Sequence, residues 1–267
     1  MLNKLDNFLE FALYLADEAA QISGKYFRGS FTVASKIDQS PVTIADREIE
    51  LRLRELIKQY YPEHGVSGEE FADQITNSAY CWVIDPIDGT IAFACGKPLF
   101  TTLIALLHHG KPRLSVIDQP ILGERYSALC GAGAFLKDRQ EIQIHSNKQL
   151  QLSSARLNAT TPTMFNAKES FHFARLAQAV QMVSFGGDAY AYAQLAAGHI
   201  DIIMESSLHY YDIAALIPLI EESGGIISDW QGKPLSQDFN GQVLACANLE
   251  LQRQALKVIN QTSTAQI

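Results

Sequence analysis

An aromatic and β-branched run, Tyr80-Cys81-Trp82-Val83, leads straight into Ile84-Asp85-Pro86-Ile87-Asp88-Gly89-Thr90, and no other stretch constrains the chain as much. The run suits a buried strand. Pro86 has no N–H to give a sheet ladder, so the strand is predicted to end there. Two carboxylates, a glycine that permits a sharp turn and the Thr90 hydroxyl then arrive at one place. That combination suits a reactive site. It equally suits an Asp-rich turn, because Asp and Gly are ordinary turn residues, and the rest of the chain has to decide.

At 267 residues the chain can bury a large core. Net charge is -8, and its 21 basic residues are scattered rather than striped, which argues against nucleic-acid binding. An anionic substrate would be repelled unless bound cations reverse the local field. Cys81, Cys95, Cys130 and Cys246 form no C-x-x-C pair, which excludes zinc-ribbon and thioredoxin-like readings. Three of the four lie in apolar runs and are expected to be buried free thiols. Asp6, Glu10 and Asp17 break any signal-peptide core, and no apolar run approaches the roughly 20 residues that span a bilayer. A cytoplasmic protein without membrane contact is expected.

Helical spacing of Leu5, Phe8, Leu9, Ala12, Leu13, Ala16 and Ala19 predicts an amphipathic helix over 3–27. A turn-rich loop or hairpin, 35–41, precedes a second helix opening at Thr43-Ile44-Ala45-Asp46. Asp46 there suits a helix cap. Pro62 and Gly65 close that helix, and Gly68-Glu69-Glu70 follows. Runs at 101–107, 113–118, 125–129 and 134–136, parted by Gly and Pro turns, predict an antiparallel meander. From about 150 the pattern alternates: helices near 168–181, 188–197, 211–223 and 248–260, and strands at 182–185, 199–205, 226–228 and 243–247. The expected fold is α/β: an antiparallel sheet followed by a second α/β sheet region. It is read as one unit, 1–267, with sub-regions 1–148 and 149–267.

Four acidic segments stand in order: Thr43-Ile44-Ala45-Asp46, Gly68-Glu69-Glu70, Asp85-Pro86-Ile87-Asp88-Gly89-Thr90, and Tyr211-Asp212-Ile213-Ala214-Ala215 before Glu221-Glu222-Ser223-Gly224-Gly225. Together they resemble the inositol monophosphatase superfamily of metal-dependent phosphatases, over nearly the whole chain. The resemblance implies a layered α/β sandwich, usually a homodimer, and two or three Mg²⁺ ions, with Mn²⁺ able to substitute. It assigns Glu69, Asp85 and the Ile87 carbonyl to one ion and Asp85, Asp88 and Asp212 to a second. Glu69, with Asp46 nearby, would serve a weaker third. Glu69 and Thr90 would activate an attacking water for in-line hydrolysis, and the N–H groups of Gly89 and Thr90 would receive the phosphate. Lys36 matches a family lysine near the third ion. Charge physics agrees: two unit charges at 4 Å cost about 4 kcal/mol at an effective dielectric of 20, so clustered acids take up protons or cations. All-oxygen ligands favour Mg²⁺, Ca²⁺ or Mn²⁺ over zinc.

Within that superfamily, Thr102-Leu103-Ile104-Ala105-Leu106-Leu107, Gly187-Asp188-Ala189-Tyr190-Ala191-Tyr192 and Ala215-Leu216-Ile217-Pro218 resemble the histidinol-phosphate phosphatases. Glu205 aligns with the superfamily acid that contacts the leaving alcohol, and Asp188 is a second candidate. Both would suit the ammonium and imidazole of histidinol phosphate. Tyr190 and Tyr192 are read as packing residues, and His209 as polar surface. The alternatives are a broader inositol or sugar phosphatase, and a metal-binding scaffold without turnover.

Overall fold

The computed structural model describes residues 2–30, 33–35, 41–148 and 151–261. Of the loop or hairpin expected over 35–41, residues 36–40, and Lys36 with them, lie outside the described residues. The first helix, α1 (Leu2–Tyr26), buries Leu5, Phe8, Ala12, Ala16 and Ala19 as its spacing predicted; Phe11 and Leu15 are buried too, while Leu9 and Leu13 are half-buried. A short antiparallel pair, β1 (Val33–Ser35) and β2 (Pro41–Thr43), runs into α2 (Ile44–Tyr60), capped by Thr43, whose hydroxyl accepts the Ala45 N–H.

Among the described residues the larger sheet has seven strands in sequential order: β3 (Gly65–Gly68), β4 (Tyr80–Asp88), β5 (Thr101–His108), β6 (Lys111–Gln119), β7 (Glu124–Leu129), β8 (Gly133–Lys137) and β9 (Glu141–Ile144). β3 runs parallel to β4; the other neighbours are antiparallel, which for β5 to β8 is the meander that the turn spacing predicted. One turn of helix, α3 (Thr90–Ala94), leaves the end of β4. The strand does not stop at Pro86 as predicted. It continues to Asp88 through an irregularity between Asp85 and Asp88, where the ladder needs no N–H from Pro86. The Pro86 carbonyl accepts the Thr102 hydroxyl at 2.8 Å instead.

The second sheet holds β10 (Arg156–Ala159), β11 (Met182–Phe185), β12 (Ile202–Glu205), β13 (Ile226–Ser228) and β14 (Val243–Cys246), in the order β11-β10-β12-β14-β13. The helices between them are α4 (Ala167–Ala179), α5 (Asp188–Ala196), α6 (Tyr210–Ile213) and α7 (Leu216–Glu222); α8 (Leu249–Ile259) follows. The single helix expected over 211–223 is thus two. Pro218 sits in the first turn of α7, where a missing N–H costs nothing; in an unbroken helix it would leave an interior carbonyl without its partner.

Side-chain alternation stacks these elements into layers. Along β5, Leu103, Ala105 and Leu107 pack with α5 and α7, whereas Ile104 and Leu106 pack with α1 and α2. Covered on both faces, this strand reads as an unbroken apolar run. A third cluster joins the far face of the second sheet to α4 and α8. The order is therefore helices, sheet, helices, sheet, helices. Of the cysteines only Cys246 is buried; Cys81 and Cys130 are half-buried and Cys95 is exposed, because their runs meet the solvent at strand and helix ends. Among the described residues no helix is long and apolar enough to cross a membrane.

Candidate active site

Four separate elements deliver acids to one place. α2 brings Asp46 in its first turn, the bend after β3 brings Glu69, β4 brings Asp85 and Asp88, and α6 brings Asp212. Carboxylate oxygens of Asp85, Asp88 and Asp212 lie within 4.8 Å of one another. Asp85 is pushed well above the usual carboxylate range by burial and then by the charges of Glu69, Asp88 and Asp212. Burial, Asp188 and Asp212 do the same to Asp88, although the Ala189 N–H donates to its Oδ2 at 2.6 Å. Such a set holds protons or cations.

Asp46 takes the capping role considered for it. Its Oδ2 accepts the Thr43 N–H at 2.8 Å and the Thr43 hydroxyl, closing a capping box. Its Oδ1 is buried without a hydrogen-bond partner, and burial raises the carboxyl, with Glu69 adding to the shift. An orphaned buried oxygen beside all-oxygen donors fits a hard divalent cation, directly or through water. The Thr90 hydroxyl donates to the Ile87 carbonyl at 3.1 Å, and the Ile87 N–H donates to Asp85 Oδ1 at 3.1 Å. Gly89 turns the chain in the left-handed region at φ 82°, and a Cβ there would stand 3.1 Å from Asp188 Oδ2. Glycine is required at that crossing.

Asp188 and Glu205 reach the same place from the second sheet. A cavity of about 60 Å³ is lined by Asp88, Asp188, Glu205, Asp212, Thr160 and Tyr192, among others. Glu205, the last residue of β12, is buried; its Oε1 accepts the Thr160 N–H at 2.7 Å and its Oε2 the Tyr192 hydroxyl at 2.9 Å. Burial raises it, and these donors pull it back. Asp188 is raised to about 7 by burial and by the charge of Glu205. It is not the cap of α5; Gly187 is. Tyr192 is buried as expected of a packing residue, yet its hydroxyl also orients Glu205. His209 caps α6, and its N–H donates to Asp212 Oδ2 at 2.6 Å. Reading the sequence missed Thr160 and Met164, which line the cavity from the segment after β10 and carry no motif. A larger cavity, about 430 Å³, lies along β3; among the described residues Asp73 is its one lining carboxylate, and it does not gather the acids.

The family model described as "Inositol monophosphatase family" matches residues 4–266. The chain is 40% identical to the chloroplastic bifunctional phosphatase IMPL2 of Arabidopsis thaliana, over 95% of this chain and 75% of that protein. It is 35% identical to a histidinol-phosphatase of Chlorobaculum parvum, over 94% and 96% respectively. Among solved structures, an inositol monophosphatase from Zymomonas mobilis superposes with a TM-score of 0.87 at 37% identity, covering 96% of this chain and 98% of that one.

Proposed function

From the premise that the chain belongs to the inositol monophosphatase family of metal-dependent phosphatases, we propose that it hydrolyses L-histidinol phosphate to L-histidinol and phosphate. One observation carries the choice of substrate: two acids, the buried Glu205 and the half-buried Asp188, face the cavity beside Asp88. A cationic alcohol suits that wall through charge-assisted hydrogen bonds, whereas a neutral polyol leaves the acids without a counter-charge. The similarity to a histidinol-phosphatase over almost both full lengths supports the same reading.

In this proposal Glu69, Asp85 and the Ile87 carbonyl would hold one Mg²⁺, and Asp85, Asp88 and Asp212 another; Glu69, with Asp46, would serve a third. Such cations would supply a lowered pKa for a water and charge compensation for the phosphate. Glu69 takes the proton of the attacking water, and the Thr90 hydroxyl orients that water. The N–H groups of Gly89 and Thr90 receive a phosphate oxygen. Asp188 and Glu205 hold the ammonium and imidazole of the leaving alcohol. The whole chain acts as one unit, as a cytoplasmic homodimer.

The inositol monophosphatase likeness favours a second reading, a broader inositol or sugar phosphatase. Phosphate release with Mg²⁺ is to be compared across histidinol phosphate, inositol 1-phosphate, fructose 1,6-bisphosphate and adenosine 3′,5′-bisphosphate. We expect histidinol phosphate to lead by tenfold or more in kcat/KM. A lead for inositol 1-phosphate sinks the proposal, and no turnover of any ester turns the reading toward a scaffold.

A further inference from the structure

The loop that carries Glu69 hangs from a second carboxylate on α2. Glu50 lies four residues after Asp46, on the same face of the helix, and is wholly buried. Its Oε2 accepts the Glu70 N–H at 2.7 Å. Its Oε1 accepts the Phe71 N–H at 3.3 Å and Arg54 Nε–H at 2.8 Å. Arg54 Nη2 donates in turn to the Phe71 carbonyl at 3.1 Å. On the other side of Glu69 the same carboxylate lies against Gly68, where a Cβ would stand 2.3 Å from Glu50 Oε1. Glu50 therefore holds the backbone after Glu69 by hydrogen bonds and lies against it before Glu69. One helix sets Asp46 by its first turn and the Glu69 loop by its second.

Burying a carboxylate is costly unless several donors meet it. A neutral side chain would fill the same volume; only an acceptor with two oxygens takes two amide donors and a guanidinium together. We propose that Glu50, completed by Arg54, is a positioning residue that holds Glu69 against Asp85 and so sets the affinity of the cation site without touching cation or substrate. This rests on the metal-site reading above. Gly68 is part of the same device, for it shows no left-handed backbone, and contact with Glu50 is what excludes a side chain there.

The test is calorimetric titration of Mg²⁺ into the chelator-treated full chain. It compares wild type with Glu50→Gln, which keeps the shape but turns an amide donor toward donors, and with Asp201→Asn as control. Asp201 is buried and paired with Arg156 beside the second sheet, so its loss lowers stability away from the loop. We expect Glu50→Gln to weaken Mg²⁺ binding at least tenfold and Asp201→Asn to leave it within twofold. At saturating Mg²⁺, Glu50→Gln regains most of its kcat, with KM for the ester within twofold of wild type. Should Glu50→Gln not fold, Gly68→Ala displaces the same carboxylate from the loop side and is read by the same criterion. Wild-type affinity in the variant overturns the proposal, as does an equal loss in Asp201→Asn, since affinity would then follow stability alone. If the wild type binds no Mg²⁺, the metal-site reading itself falls, and this inference with it.

Discussion

Asp188 has φ 45°, the left-handed region that Asp and Asn tolerate better than most residues. Asp188→Asn therefore removes the charge and keeps the backbone. Glu205→Gln does the same at the end of β12, where the Thr160 N–H and the Tyr192 hydroxyl hold the side chain in place. Each variant is expected to raise KM for histidinol phosphate by about tenfold, roughly 1.4 kcal/mol, and by less than threefold for the phosphate of an uncharged alcohol. Steady-state phosphate release on the two esters reads this difference, and equal losses on both would remove the acids from substrate choice. Asp88→Asn tests the cluster itself. It should cut kcat by about a hundredfold or more with an unchanged far-UV spectrum, since the lost charge is one the cluster gathers for cations. Near-normal turnover would contradict the assignment.

Among the elements, those whose burial pattern is internal to one segment were legible in the sequence. α1 and α2 show their apolar faces, and β5 to β8 show theirs between Gly and Pro turns. β3 was not legible: Gly65-Val66-Ser67-Gly68 has no strand pattern and becomes a strand because β4 lies parallel to it. β10 and β9 were likewise passed over, since partners elsewhere in the chain define them. The acids were each visible, but their meeting was not. Asp212 reaches Asp85 and Asp88 only because α6 packs under β4, a tertiary fact that local spacing does not encode. The turn between α7 and β13 offers a test of packing at this scale. A Cβ on Gly225 would stand 2.9 Å from Ile220 Cγ2 and 3.0 Å from the Cys246 carbonyl. Gly225→Ala should destabilise by about 1–3 kcal/mol in urea unfolding. An unchanged midpoint would show that the turn yields freely.

For the whole molecule, one apolar cluster joins the inner face of the larger sheet, α5, α7 and the near face of the second sheet. The cavity acids come from both sides of that joint, so the site depends on the two sheets staying docked. Acid should loosen the second sheet. Burial pushes Asp201 up, but Arg156 and Asn147 more than offset it and hold the carboxyl below its usual value of 3.8. Glu169, bonded by the Ser206 hydroxyl and Gln242, is likewise held below 4.5 despite burial. Their stabilisation is complete above those ordinary values and is lost as pH falls through the depressed folded ones. Thermal unfolding of wild type and Asp201→Asn, followed from pH 5 to pH 3, should show the wild type's advantage of about 1–3 kcal/mol shrinking as the Asp201 carboxyl takes up its proton. A constant difference across that range would deny Asp201 this part.

That acids from four elements form one metal-dependent phosphatase site is checked by phosphate release from histidinol phosphate after the protein has been stripped with a chelator and dialysed. The expected result is negligible turnover without metal and recovery on adding Mg²⁺. Turnover at the same rate with and without Mg²⁺ would contradict it.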